Sequence, residues 1–134
     1  MKIFLDTNIL ISAMVWPNSN PSKAYFKAVS YPNTGMICEQ TINEMRRVFN
    51  KKFSQYTFDI EKFLSNSMFS LEFVPAPSEP FEEENQIRDP NDRPLLRAAI
   101  KYGADIFLTG DKDFLESGVQ NPKIISVSDF LELE

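Results

Sequence analysis

Five short apolar runs, separated by segments with helical spacing, constrain the fold of this chain more than any other feature. The first run, Lys2–Leu5, has the length of a buried strand and is followed by apolar residues at helical intervals. Strands that alternate with helices form parallel sheets, because a helical crossover returns the chain to the same edge of the sheet. The sequence therefore predicts an α/β fold of three layers, α/β/α, with a central and mainly parallel sheet. At 134 residues the chain has the length of a single domain, 1–134.

Periodicity and turn residues give the predicted element boundaries. The segment Pro75–Asn91 carries four prolines and the acidic run Glu82–Glu84, which is typical of a solvated loop. Strands are predicted at 2–5, 36–38, 71–74, 105–109 and 123–127, and helices at 7–16, 21–29, 41–53, 58–68 and 93–102, with short helical turns within 110–115 and near the C-terminus.

Two absences limit the chemistry that the chain can perform. It has no histidine, which excludes His-based catalytic triads, the usual zinc sites and the commonest general base. Its one cysteine, Cys38, cannot form an internal disulfide, which favours a reducing cytoplasm. No apolar run approaches the roughly 20 residues of a membrane span, and the first residues do not resemble a signal peptide. We therefore expect a cytoplasmic protein whose chemistry depends on carboxylates, hydroxyls, lysines or arginines.

Four acidic residues are predicted at the carboxyl ends of the strands, where α/β proteins place their sites. Asp6 and Asp111 each follow an apolar strand, Glu44 lies just beyond the second strand, and Asp92 opens a helix. Each also has an ordinary structural explanation. Asp6, Asp92 and Asp111 could cap helices or favour their dipoles, and Glu44 could form a capping box with Thr41.

Convergence of all four acids would need a further cause. Two carboxylates about 4 Å apart repel by about 4 kcal/mol at an effective dielectric constant near 20. Either raised pKa values or a bound cation must offset that repulsion. An all-oxygen set without histidine suits Mg²⁺ or Mn²⁺, and the chain has no EF-hand spacing that would indicate Ca²⁺.

The motifs that carry these acids resemble those of the PIN-domain ribonucleases, and among them the prokaryotic VapC-related toxins of toxin–antitoxin systems. The similarity rests on FLDTNIL at 4–10, on the downstream Glu44, on DPND at 89–92 and on ADIFLTGDKDFL at 104–115, in the expected order. Pro94, just after the third motif, is a mild departure that the first turn of a helix tolerates.

The resemblance implies a function and roles for individual residues. The expected activity is endonucleolytic cleavage of RNA by a centre with one or two Mg²⁺ or Mn²⁺ ions, leaving a 5′-phosphate and a 3′-hydroxyl. A cognate antitoxin protein is the expected partner. The implied acidic quartet is Asp6, Glu44, Asp92 and Asp111, with Asp113 as an accessory metal ligand and Thr7, Asn8 and Thr109 as polar supports.

A negatively charged chain must still attract RNA. The net charge of −5 argues against phosphate binding, although a local basic strip can coexist with an acidic pocket. Two helices offer such strips, each of which could equally be an ordinary solvated face. The candidates are Arg46, Arg47, Lys51 and Lys52 on one helix, and Arg93, Arg97 and Lys101 on the other. Trp16 could similarly belong to the core, to an antitoxin groove or to a homodimer.

Two other functions are compatible with the same pattern. A haloacid-dehalogenase-type phosphatase also places an aspartate after its first strand. It normally needs a second aspartate two residues later, where this chain has Asn8. A non-catalytic module that only binds RNA or a protein would keep the fold, but would have no need of four intact acids.

Overall fold

The computed structural model describes residues 1–67 and 70–133 and contains a five-stranded, entirely parallel sheet. The strand order is β3-β2-β1-β4-β5, so that β1 is central. The strands are β1 Lys2–Leu5, β2 Thr34–Cys38, β3 Leu71–Val74, β4 Ile106–Leu108 and β5 Lys123–Ile125. The predicted parallel α/β fold is confirmed.

Seven α-helices and two 3-10 helices connect and flank these strands in the described residues. The helix predicted at 58–68 begins one residue earlier, and Met68 lies outside the described residues. The α-helices are α1 Thr7–Val15, α2 Asn20–Val29, α3 Glu39–Lys52, α4 Thr57–Ser67, α5 Arg93–Lys101, α6 Lys112–Leu115 and α7 Val127–Glu132; the 3-10 helices are Ser54–Tyr56 and Glu82–Gln86. Among the described helices, none combines the length and the hydropathy needed to cross a membrane.

Alternating side chains of the strands divide the core into two layers. Ile3 and Leu5 point to one face of the sheet, where they pack with residues of α1, α2, α3, α4 and α7. Phe4 points to the other face and packs with residues of α5 and with Phe107, whose ring stacks on it at 5.3 Å between centroids. Helices thus cover both faces of the sheet. Because each strand is buried on both faces, its sequence is a continuous apolar run.

The order of the strands fixes where a crevice can form. From β1 the chain runs outward through β2 to β3, and it then returns to the other side of β1 to form β4 and β5. In parallel α/β sheets a crevice forms where the winding direction changes, which in this fold is beyond the carboxyl ends of β1 and β4. The register pairs Leu5 with Leu108, so the residues that follow these two strands emerge side by side.

The segment 75–91 is more ordered than the predicted solvated loop. Its acidic run lies in the 3-10 helix, and Glu84 is buried with only 3% of its surface exposed. The Glu84 carboxylate accepts two hydrogen bonds from Arg97, at 2.7 and 2.9 Å, and one from the backbone N–H of Phe81. The prediction was wrong for Glu84 because its cationic partner lies on α5, thirteen positions along the chain.

Candidate active site

Asp6 directly follows β1 and is the most deeply buried acid of the predicted quartet, with 5% of its surface exposed. It occupies the N-cap position of α1, yet its side chain makes no capping hydrogen bond. Its Oδ2 instead accepts a 2.6 Å hydrogen bond from the hydroxyl of Thr109, a fully buried residue that follows β4. The capping explanation therefore does not account for this carboxylate.

Burial raises the pKa of Asp6 to about 6, and the negative charges of Asp111 and Asp92 add to this effect. Hydrogen bonds from the hydroxyl of Thr109 and from the backbone of Thr7 lower the pKa of Asp6, but the effect of burial outweighs them. A carboxylate that is ionised at neutral pH in such surroundings lowers the stability of the fold unless a cation accompanies it.

Asp111 lies on the other side of the switch point and serves a structural purpose as well. Its Oδ1 accepts a 2.9 Å hydrogen bond from the backbone N–H of Asp113 and so caps the short helix α6. Its own backbone N–H donates to the hydroxyl oxygen of Thr109 at 3.0 Å. Thr109 thus connects Asp6 and Asp111 through one hydroxyl group. The helix cap thus accounts for the position of Oδ1 of Asp111 and leaves its Oδ2 available for another contact.

Glu44 is not part of a capping box. Helix α3 begins at Glu39, two residues before the predicted start, because Cys38 leads directly from β2 into the helix. Glu44 is consequently in the second turn, where its Oε2 accepts a 2.6 Å hydrogen bond from the hydroxyl of Thr7. Thr7 also lies 3.4 Å from the hydroxyl of the buried Thr41. The hydrogen bond from Thr7 holds the carboxylate of Glu44 against the first turn of α1, which begins directly after Asp6.

Asp92 occupies the N-cap position of α5 but, like Asp6, makes no capping hydrogen bond with its side chain. Burial raises the pKa of Asp92 to about 6, and four other carboxylates contribute. In order of effect these are Asp89, Asp111, Glu44 and Asp113. Since Asp6 is also influenced by Asp92 and Asp111, the four predicted acids form one electrostatically interacting cluster.

The donor set of this cluster fits a hard divalent cation. Its members are carboxylates, which Mg²⁺ and Mn²⁺ prefer, and two of them have pKa values raised by burial and by mutual repulsion. Within residues 1–67 and 70–133, no three acidic, cysteine or histidine side chains lie close enough together to hold a metal ion. The other carboxylates thus help to raise the pKa values of Asp6 and Asp92, but no three of the four acids are gathered at metal-ligand distances.

The remaining predicted site residues differ in their surroundings. Asp113 accepts a 3.1 Å hydrogen bond from Arg88, whose side chain is 86% exposed. Sequence reasoning missed Arg88, although it directly precedes the DPND motif. Asn8 is exposed on α1 and makes no side-chain hydrogen bond to the part of the chain that the structure describes.

The predicted RNA-binding arginines are not equivalent. Arg46 forms an exposed bidentate ion pair with Glu61, at 2.8 and 3.1 Å. Arg97 is committed to the buried Glu84 and to the carbonyl of Pro77. Arg93 donates to the carbonyl of Ile87. Arg47 makes no ion pair with any described residue and lines a cleft beside Glu44 and Asp92, so it alone of the four faces the acids without a partner.

We expect the metal-free protein to become more stable as the pH falls from about 7.5 to about 5. The Asp6 carboxyl titrates near 6 in the folded state and near 3.8 in the unfolded chain, so in this window the folded state binds more protons. Asp92 acts in the same direction. The pKa values of Glu61 and Glu84 are lowered, so stability contributed by these two groups is lost only at more acidic pH.

Urea unfolding in EDTA at both pH values tests this expectation. The Asp6→Asn variant should show a weaker pH dependence, since one of the two titrating groups is removed. Added Mg²⁺ should stabilise the wild type more at the higher pH, where protons compete less with the cation. A free energy of unfolding that falls steadily as the pH is lowered from about 7.5 to about 5 would contradict the raised pKa values of Asp6 and Asp92.

Comparisons with known proteins identify relatives of the chain. A sequence model of the PIN domain matches residues 2–113. An uncharacterised protein of Methanocaldococcus jannaschii is 27% identical over 128 residues, which cover 90% of this chain and 77% of that protein.

Solved structures are similar over almost the whole chain. A chain in VapBC2 from Rickettsia felis, bound to a DNA fragment from their promoter, superposes with a TM-score of 0.70 at 17% identity, covering 94% of this chain and 98% of that one. A chain in FitAB bound to the IR36 DNA fragment superposes with a TM-score of 0.65 at 19% identity, covering 98% and 97%. At these identities the similarity establishes a common fold.

Proposed function

The chain belongs to the PIN-domain family, and from this membership and the arrangement of its carboxylates we propose that it is a metal-dependent endoribonuclease. The proposed reaction is hydrolysis of RNA phosphodiesters at an Mg²⁺ or Mn²⁺ centre formed by the acidic quartet. The proposed biological role is that of the toxin in a toxin–antitoxin pair. Family membership also favours this function over the haloacid-dehalogenase-type phosphatase, which the sequence pattern alone left open.

The state of Asp6 is the observation that carries the proposal. A buried carboxylate whose pKa is raised to about 6 destabilises the fold when it ionises at neutral pH. It caps no helix and pairs with no cation among the described residues. Perturbed acids of this kind concentrate at functional sites. A metal ion that binds the quartet would turn this unfavourable charge into a ligand.

Each proposed ligand is positioned by a different element of the fold. Asp6 follows β1 and Asp111 follows β4, on the two sides of the switch point, while Glu44 lies on α3 and Asp92 directly precedes α5. When bound, Mg²⁺ or Mn²⁺ would supply Lewis-acid polarisation of the scissile phosphate and activation of water at neutral pH. Thr109 and Thr7 restrict the rotation of Asp6 and Glu44 through their short hydrogen bonds.

Attraction of the RNA backbone is assigned to Arg47. Replacing it with alanine should weaken RNA binding and reduce the slope of log K against log salt concentration by about 0.7, the value for one phosphate contact on a single strand. Fluorescence anisotropy with labelled single-stranded RNA in EDTA measures both quantities without cleavage.

The neighbouring Arg46→Ala variant is the matched control. Arg46 is already neutralised by Glu61 on an exposed helix surface, so its loss should leave the salt slope nearly unchanged. Equal slopes for wild type and Arg47→Ala would contradict the assignment of Arg47.

The proposed protein partner is a small antitoxin, and a second copy of this chain is the alternative. A groove of about 400 Å³ between α3, α4 and β3 has an apolar floor that includes Ile42, Leu64 and Phe73. Trp16 is 53% exposed and packs edge-on against Phe53. These apolar surfaces suit a protein partner. A cytoplasmic location, inferred from the single buried thiol of Cys38, completes the proposal.

The function itself is tested by incubating the purified chain with single-stranded RNA and Mn²⁺ or Mg²⁺. Metal-dependent internal cleavage is expected. Binding of RNA without any turnover, under conditions where the protein is folded and the metal is bound, would instead favour the non-catalytic module.

A further inference from the structure

We propose that Trp16 and Lys51 form a subsite for single-stranded RNA at the far ends of helices α1 and α3. In this subsite the indole ring stacks on a base and the ammonium group binds the adjoining backbone phosphate. The inference rests on the proposed ribonuclease function and adds a second point of attachment for the substrate, outside the acidic centre. Trp16 is the C-cap residue of α1 and is 53% exposed, and Lys51 lies in the last turn of α3.

Helices α1 and α3 run side by side from the acidic centre to this subsite. At one end, the hydroxyl of Thr7, the residue after Asp6, donates a 2.6 Å hydrogen bond to Glu44. At the other end, the rings of Trp16 and Phe53 meet edge-on, with 6.2 Å between their centroids. Helix α1 has nine residues. At a rise of 1.5 Å per residue, Trp16 lies on the order of 14 Å from the start of the helix. A single strand that occupies both ends therefore spans more than one nucleotide.

A positively charged stripe on α3 connects the two ends. Glu44, Arg47 and Lys51 are spaced at i, i+3 and i+7, so their side chains lie on one face of the helix. Within the structurally described part of the chain, neither Arg47, Lys51 nor the exposed Lys52 makes an ion pair. Lys51 thus continues, one turn further from the acids, the phosphate contact that is assigned to Arg47.

Trp16 has the surroundings of a stacking platform. Its ring packs against Phe53, which also contacts the buried Phe49 and the half-buried Tyr56. This packing restricts the rotation of the indole while more than half of the residue stays exposed. Proteins that bind single strands without sequence preference combine such aromatic rings with a positively charged groove.

The charge of this surface favours RNA over a protein as its occupant. Lysine is depleted at the centres of protein interfaces, whereas a lysine near an exposed aromatic ring suits the phosphate and the base of a nucleotide. The apolar groove between α3, α4 and β3 differs, because its arginine, Arg46, is already neutralised by Glu61. Lysines in the last turn of a helix also favour its dipole, but the dipole does not account for an exposed indole at the same end of α3.

The fluorescence of Trp16 reports directly on the subsite, because the chain has no other tryptophan. Titration with a single-stranded RNA at low salt, in EDTA, should quench this fluorescence as a base stacks on the indole. An RNA of equal length that lacks its bases keeps the phosphates, so it should bind without comparable quenching. Quenching that is equal for the two RNAs, or absent with both, would overturn the stacking contact.

Two substitutions separate the base contact from the phosphate contact. Trp16→Ala should weaken RNA binding by about five- to 150-fold, the range for one stacked base, and Trp16→Phe should retain most of the affinity. Lys51→Ala should reduce the slope of log K against log salt concentration by about 0.7. Lys101→Ala is the matched control, since Lys101 also lies in the last turn of a helix, but α5 leads to the start of β4, at the edge opposite the acidic centre. Equal slopes for Lys51→Ala and Lys101→Ala would overturn the phosphate contact.

Cleavage with Mn²⁺ distinguishes failure of the subsite from failure of the proposed function. Trp16→Ala should raise KM and leave kcat close to the wild-type value, because a remote contact binds substrate and transition state equally. A wild type that cleaves, with an unchanged KM in Trp16→Ala, would overturn the subsite and leave the ribonuclease intact. A wild type that shows base-dependent quenching but never cleaves would retain the subsite and lose the ribonuclease. Fluorescence that changes with protein concentration and not with RNA would assign Trp16 to an interface between copies of the chain and overturn the subsite.

Discussion

Asp6→Asn should abolish metal-dependent cleavage of RNA and at the same time stabilise the metal-free fold. The carboxamide has nearly the shape of the carboxylate and can still accept the hydrogen bond from Thr109. It removes the negative charge that a divalent cation needs. Loss of about 3 kcal/mol or more of metal-dependent transition-state stabilisation corresponds to at least about a 100-fold lower kcat.

The gain in stability has the same origin as the loss of activity. The Asp6 carboxyl has its pKa raised from 3.8 to about 6, so ionising it at neutral pH costs the fold up to about 3 kcal/mol. An uncharged side chain avoids this cost. Single-turnover cleavage and urea unfolding in EDTA, at about pH 7.5, measure the two effects on the same preparations.

Asp105→Asn is the matched control for this variant. Asp105 precedes β4 at the opposite edge of the sheet and accepts a 2.7 Å hydrogen bond from the backbone N–H of Lys2, which an asparagine can also accept. Its cleavage rate should stay close to that of the wild type. Full activity in Asp6→Asn would remove Asp6 from the proposed centre, and a lower stability of the metal-free variant would contradict the assigned pKa.

Glu84→Gln should lower the free energy of unfolding by about 3–5 kcal/mol. The substitution leaves the guanidinium of Arg97 largely buried without a compensating charge, since this side chain is only 18% exposed. It also weakens the attachment of the 3-10 helix to α5, the helix that Asp92 begins. Urea unfolding at neutral pH measures the change.

Glu61→Gln provides a comparison with the same chemistry at the surface. Glu61 and Arg46 form an equally bidentate ion pair, but their side chains are 52% and 48% exposed. Solvent screening limits such pairs to at most about 1 kcal/mol. Similar losses of stability in Glu84→Gln and Glu61→Gln would contradict the claim that burial makes the Glu84–Arg97 pair the stronger of the two.

Much of the fold could be predicted because the strands are continuous apolar runs bounded by turn residues. Asp6 and Asp111 were identifiable because each comes directly after such a run, and adjacent parallel strands bring their carboxyl ends together. The parallel sheet and the family resemblance are confirmed. The catalytic assignment of the acids stays a prediction.

Local sequence failed where a residue's partner is distant in the chain. The acidic run at 82–84 has the composition of a solvated loop, yet Glu84 faces inward because Arg97 lies behind it. The start of α3 was misplaced because no side chain caps it, so Thr41 and Glu44 imitated a capping box. One wall of the cleft beside Glu44 could have been predicted from the helical spacing of Gln40, Asn43 and Arg47. Its other wall comes from the separate turn at 89–92, which local sequence does not connect with α3.

Cleavage of a 5′-labelled single-stranded RNA by the metal-stripped wild-type protein, before and after addition of Mn²⁺ or Mg²⁺, tests the central claim most directly. The proposed centre predicts no cleavage in EDTA and internal cleavage once the metal is restored, with 5′-phosphate and 3′-hydroxyl ends on the products. Cleavage that proceeds equally in EDTA, or products that end in 2′,3′-cyclic phosphates, would contradict a metal-dependent carboxylate centre.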